Sequence, residues 1–248
     1  MADPVAQYAV RLGDDALVLA QRLTEWVSNA PVLEEELALA NTALDYLGRA
    51  RMFYRYAGER SGQSEDQLAF TRDARAFTNL LIFELPRGDF AFTMARQFLI
   101  DAFEVPFLEQ LASSSDDELA AIAAKAVKES RYHLKRSRDW VVRLGDGTEE
   151  SHRRIQDAFD ELFGYVDELF AMDAVEEELS RRGVAVERTR LRATWDEAVD
   201  RALEAATLAR SRRAWRVEGG RRGLHTEHLG HLLAELQFLQ RAYPGLSW

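Results

Sequence analysis

Three carboxylates interrupt apolar stripes that otherwise have the spacing of buried helix faces. Over 65–85 the stripe reads Phe70, Asp73, Phe77, Leu80; over 90–112 it reads Met94, Phe98, Asp101, Val105, Leu108. Over 119–144 it reads Leu119, Ile122, Ala126, Glu129, His133, Trp140. The i, i+3, i+4, i+7 pattern predicts amphipathic helices. An unpaired carboxylate on such a face is costly, so each needs a cation, a proton or a metal. Asp45, on a more mixed face with Asn41, Gly48 and Met52, makes a fourth. One inward carboxylate on each of four facing helices is how ferritin-like bundles build a di-iron centre.

The histidines such a centre uses are scarce. It takes a Glu from each of two helices and Glu-x-x-His from each of the other two. Here Asp73 is followed three residues on by Ala76, Asp101 by Glu104 and Glu129 by Tyr132, with His133 one position later. Asp45, Asp73, Asp101, Glu129 and His133 therefore read as degenerate di-iron positions. The plainer expectation is no metal, with the acids paired to His133 and to arginines such as Arg75, Arg96 or Arg136. The sharper alternative is a di-iron carboxylate oxygenase built from the same five residues.

Two clusters lie near the C-terminus. Arg210, Arg212, Arg213, Arg216, Arg221 and Arg222 crowd a short segment in which Gly219, Gly220 and Gly223 suggest a flexible loop. Arginine forks suit phosphates and carboxylates, so the segment is a candidate anion or partner contact, with Trp215 as an anchor. A solvated loop is the competing reading. His225, His228 and His231 follow at i, i+3, i+6, with Glu227 and Glu235 nearby. They match no zinc motif, and caps or packing hydrogen bonds are the usual role of such residues. A zinc-binding bundle is the third functional alternative. His152 reads as a surface residue.

The elements that must position these groups are all helices. Expected helices cover about 14–27, 33–57, 65–85, 90–112, 116–145, 148–172, 174–182, 187–209 and 226–242. Asp89 is an expected N-cap, Ser115 with Glu118 an expected capping box, and Pro106 an expected kink. The fold class is all-α: a ferritin-like four-helix bundle core at about 32–145, flanked by 8–28 and by additional C-terminal helices over 148–243, in one domain spanning 1–248.

Composition narrows the function. The chain has 248 residues, a formal net charge of -10 and no cysteine. Nucleic-acid binding is disfavoured, and disulfides, thiolate metal sites and thiol nucleophiles are excluded. No run approaches the roughly 18 apolar residues of a membrane span, and residues 1–9 do not read as a signal peptide, so a cytoplasmic setting is expected. No Gly-x-Ser-x-Gly, P-loop or Rossmann signature occurs.

Five stretches in order, Arg11-Leu-Gly-Asp14, Leu37-Ala-Leu-Ala-Asn-Thr-Ala-Leu-Asp45, Ala69-Phe-Thr-Arg-Asp-Ala-Arg75, Lys128-Glu-Ser-Arg-Tyr-His133 and Gly223-Leu-His-Thr-Glu-His-Leu-Gly230, resemble the C-subunit family of the bacterial ring-1,2-phenylacetyl-CoA epoxidases (phenylacetate-CoA oxygenases). The likeness extends over residues 8–248. It implies a structural subunit without catalytic residues or a cofactor of its own. A homologous catalytic A subunit would hold the di-iron centre and bind phenylacetyl-CoA. Other epoxidase subunits, and a reductase with FAD and iron–sulfur, would complete the complex and bring electrons from NADPH. Exposed Leu, Phe or Trp on helices outside the core would mark the interface.

Overall fold

The computed structural model describes residues 3–211 and 215–246, and every regular element among them is helical. The chain divides into two compact units, Met1–Pro86 with Gly219–Trp248, and Arg87–Glu218.

The first unit is built on α1 (Pro4–Thr24) and α2 (Leu33–Ser61). Helix α1 starts ten residues before the expected Asp14, because Asp3 accepts from the Val5 amide and Pro4 supplies a pre-set φ at the first helical position. Asp3 meets Arg60 and Asp14 meets Tyr54, so the two helices run antiparallel. They approach closely at Gly13, where a Cβ would stand 2.6 Å from the Tyr54 ring. Gly62 ends α2 in the left-handed conformation.

The expected helix over 65–85 is not continuous. It becomes α3 (Glu65–Phe70), a 3-10 turn at Ala74–Ala76, extended backbone at Phe77 and Leu80, and α4 (Leu81–Glu84). The cause is long-range: the Thr78 and Leu80 amides donate to Asp14 and Asp15 of α1, at 2.7 Å each. Those donors are therefore not available to an i−4 carbonyl.

The second unit is built on α5 (Phe90–Leu111) and α6 (Asp117–Gly145). Asp89 caps α5 as expected, and α5 continues through Pro106. Asp116, not Ser115, caps α6; the Ser115 hydroxyl instead donates to the Arg182 carbonyl. The pairs Ser137–Asp101 and Arg131–Glu109 set an antiparallel register. Then come α7 (Glu149–Leu162), a 3-10 segment at Phe163–Leu169, α8 (Ala174–Arg181) and α9 (Arg192–Ala205). Trp195 of α9 is fully buried, and its indole N–H donates to the Leu99 carbonyl at 3.0 Å. The final helix of the first unit breaks at Gln237 into α10 (Glu227–Leu236) and α11 (Phe238–Ala242), where the Gln237 side-chain amide reaches the carbonyls of Ala69 and Arg72. The all-α class stands, with the long antiparallel helix pairs typical of ferritin-like proteins. No helix is long and apolar enough to cross a membrane among the described residues.

The Gly13 contact has a measurable consequence. Gly13→Ala forces Tyr54 from its place over α1 and lowers unfolding free energy by about 1–3 kcal/mol, read by chemical denaturation; an unchanged midpoint contradicts the close contact.

Candidate functional site

In the second unit, Gln97 and Asp101 lie one turn apart on α5 and are both buried. The Gln97 amide donates to Asp101 Oδ1 at 2.7 Å, and the Ser137 hydroxyl of α6 donates to Oδ2 at 2.7 Å. Each carboxylate oxygen thus accepts from a neutral donor, which offsets part of the cost of burying the acid. His133, one turn before Ser137 on α6, is buried, and Glu129 is half-buried. Gln97 and Ser137 were not singled out by sequence reasoning. The signal available was spacing: each stands four residues from a singled-out residue, Asp101 or His133.

The other two acidic positions fall in the first unit. Asp45 is half-buried on α2. Asp73 lies in the broken segment, 85% exposed, and meets Arg241 at 2.9 Å. It does not face inward from a helix as its stripe suggested, since the stripe is not helical. Among the described residues no three His, Asp or Glu side chains group to hold a metal ion. The donor set does not fit a di-iron centre: one acid is on the surface, one is hydrogen-bonded on both oxygens, and no Glu-x-x-His exists at these positions.

The denser polar site is a buried charge network in the first unit, carried by α1. Asp14 is fully buried and accepts from the Tyr54 hydroxyl at 2.6 Å, from the Thr78 amide at 2.7 Å and hydroxyl at 2.9 Å, and from both terminal nitrogens of Arg72. Burial, and then the Asp14 charge, push the Tyr54 hydroxyl well above its ordinary 10.0. Asp15 meets Arg221 at 2.7 Å. Glu84, fully buried, accepts from Asn79 at 2.8 Å and from the Thr226 amide and hydroxyl at 2.6 and 2.8 Å. It also meets His225 Nδ1, at 2.7 Å, while His225 Nε2 lies 2.8 Å from the Phe77 carbonyl. A carbonyl only accepts, and a carboxylate already receiving three donors accepts a fourth, so both ring nitrogens donate and His225 is an imidazolium. Burial alone would lower its pKa; the Glu84 hydrogen bond and charge, with the Phe77 carbonyl, outweigh it and raise the value above 6.5.

His225 thus makes the packing hydrogen bonds expected of such residues. His225 has no lone pair for a metal, His228 is half-buried and gives its main-chain carbonyl to Arg22, and His231 is exposed. Among the described arginines of the segment, Arg210, Arg216 and Arg221 are paired within the chain. Arg221 points inward to Asp15, because Gly220 and Gly223 let the backbone press against the carbonyls of Asn79 and Arg75, where a Cβ would stand 2.0 and 2.3 Å away. In the second unit Arg210 pairs with Asp200 at 2.6 Å and with Asp196, over the Phe163 and Trp195 rings. Arg216 pairs with Asp167 at 2.8 Å. Trp215 stands on Gly164 and edge-on to Tyr165 at 5.3 Å rather than free as an anchor. Arg222 is exposed, and Arg212 and Arg213 lie outside the described residues. His152 is half-buried, its Nδ1 bonded to the Gly145 carbonyl at 2.7 Å.

The raised His225 pKa sets a pH dependence. The imidazolium's contribution is complete below about pH 6.5, the unfolded value, and is lost as pH rises through the higher folded value. Thermal stability of the native chain is expected to fall across that window, and His225→Gln to flatten this part of the profile. Glu84→Gln, which leaves a buried cation short of its counter-charge, is expected to cost about 3 kcal/mol. A His225→Gln profile superimposable on the native one contradicts the assignment.

A family model described as Phenylacetic acid catabolic protein matches residues 1–248. The chain is 52% identical over 243 residues to the C subunit of the 1,2-phenylacetyl-CoA epoxidase of Escherichia coli (strain K12), covering 97% of this chain and 98% of that protein. With the match running from end to end, the chain belongs to the phenylacetic acid catabolic protein family.

Proposed function

We propose that this chain is a structural subunit of a multicomponent phenylacetyl-CoA monooxygenase, the ring 1,2-epoxidase of aerobic phenylacetate catabolism in the cytoplasm. It pairs with a homologous catalytic subunit that holds the di-iron centre and most of the acyl-CoA site. Electrons come from NADPH through a reductase carrying FAD and iron–sulfur. The partner's iron supplies the oxygen chemistry. This chain carries no iron and no reacting group, and its work is to hold the partner in a competent form.

The identity to a protein named as a subunit supports the assignment to a complex. The observation that carries the structural role is Asp101, whose two oxygens are taken by Gln97 and Ser137. An acid held by an amide and a hydroxyl does the work of a polar core residue, joining α5 to α6.

Reconstitution tests the reading. The catalytic subunit with this chain and the reductase is expected to epoxidise phenylacetyl-CoA, and this chain with the reductase alone to give none. Asp101→Asn in this chain is expected to lower its melting temperature, by loss of about 1–3 kcal/mol, while the complex at a permissive temperature keeps its turnover within roughly twofold. A drop of about tenfold or more, the size that metal-site changes give, together with an intact complex, contradicts a structural role.

A further inference from the structure

Helix α6 carries a strip of positive charge on its outer face. Residues 121–145 hold seven of the chain's 32 lysines and arginines but two of its 42 acids, Glu129 and Asp139. Lys125, Lys128, Arg131, Lys135 and Arg138 are all exposed. At about 100° per residue they lie within an arc of about 140°, and they run for about 20 Å along the axis. The opposite face, with Ile122, Ala126 and His133, is buried. Tyr132 stands inside the same arc, 61% exposed, the one large hydrophobic side chain of α6 that is left to solvent.

Neighbouring acids leave the strip positive. Arg131 meets Glu109 of α5 at 2.7 Å, and Lys135 and Arg138 share the single carboxylate of Asp139 at 2.8 and 2.9 Å. These three cations stay 60%, 70% and 53% exposed, so the pairs are weak surface contacts that a partner can displace. Lys125 and Lys128 make no ion pair among the described residues.

The chemistry of the strip selects the kind of partner. The core of a permanent subunit interface is apolar and poor in lysine, whereas here lysine and arginine surround one aromatic ring. The strip lies on the outside of a helix and encloses no small anion. A lipid surface or a nucleic acid would meet the field of a chain whose formal net charge is -10. Such a face suits a small protein contact that forms and parts quickly: complementary charge steers the encounter and a central aromatic side chain anchors it. Redox encounters belong to this small, transient class. In the assembly proposed above, the reductase is the partner that arrives to hand over electrons.

We infer that, given the subunit role proposed above, the outer face of α6 is a docking surface for the reductase. A row of carboxylates on the reductase meets Lys125, Lys128, Lys135 and Arg138 around Tyr132.

Binding and turnover test this separately, with the purified reductase as probe against the intact assembly of this chain and the catalytic subunit. The native assembly is expected to bind reductase with an affinity that falls as salt rises. Lys125→Glu/Lys128→Glu, which removes no ion pair within the chain, is expected to weaken that binding about tenfold at low salt, the low end of what steering supplies, and to flatten the salt dependence. Tyr132→Ala is expected to weaken it at every salt concentration. Both variants are expected to keep their helical circular dichroism, their co-elution with the catalytic subunit and, at saturating reductase, native turnover. Equal reductase affinity in native and variant assemblies overturns the inference, and where those assemblies still make epoxide the subunit reading stands. A double variant that no longer co-elutes with the catalytic subunit overturns it too, and gives the strip to subunit pairing. So does a double variant that loses salt-sensitive binding to phosphatidylserine vesicles or duplex DNA while its reductase affinity is unchanged. Salt-sensitive reductase binding that the double variant loses, in an assembly that makes no epoxide, supports the inference and removes the epoxidase reading instead.

Discussion

The first unit depends on the hydration it denies to Asp14 and Asp15. Both sit in the middle of α1 and are buried, where an uncompensated charge costs several kcal/mol. Their compensation comes from far along the chain: Tyr54 of α2, Arg72, the Thr78 and Leu80 amides, and Arg221. Satisfying these two carboxylates fixes the path of residues 77–80 as non-helical backbone, and with it the placement of α4. Glu84 at the end of α4 then receives the imidazolium of His225 and the amide of Thr226, which seats the start of α10. One pair of adjacent acids thus orders a loop, two short helices and a C-terminal return.

In the second unit the buried acid Asp101 accepts from neutral groups. At Asp101 an amide and a hydroxyl fill the two oxygens. This partner chemistry separates a structural acid from a metal ligand. A ligand carboxylate directs its lone pairs at the ion, whereas Asp101 accepts from Gln97 within α5 and from Ser137 across the α5–α6 seam.

Much of the fold was legible because it is locally determined. The start of α2, the Asp89 cap of α5, the length of α6 and the end of α8 before Gly183 follow from periodicity, capping and left-handed glycine. What was illegible is determined at long range. The stripe at Phe70, Asp73, Phe77 and Leu80 has helical spacing, yet its backbone donors go to α1, and no local signal reports that. Asp14 read as a helix start because aspartate favours that position, whereas it lies in the middle of a helix that Asp3 and Pro4 begin. Asp101 was legible as a buried acid from its stripe. Its partners were not, because glutamine and serine on a polar-looking face carry no charge to mark them. The arginine segment read as a candidate anion or partner contact or as a solvated loop; the inward turn of Arg221 was illegible, because sequence shows the glycines but not the carbonyls they let the loop approach.

The claim at the centre of this account is that the acids of this chain hold structure and no metal. Its most direct test is the iron content of the isolated chain after anaerobic loading with ferrous iron and desalting. The account predicts essentially no retained iron. Retention of about two irons per chain, the content of a di-iron bundle, would contradict it and return Asp101, Glu129 and His133 to the role of ligands.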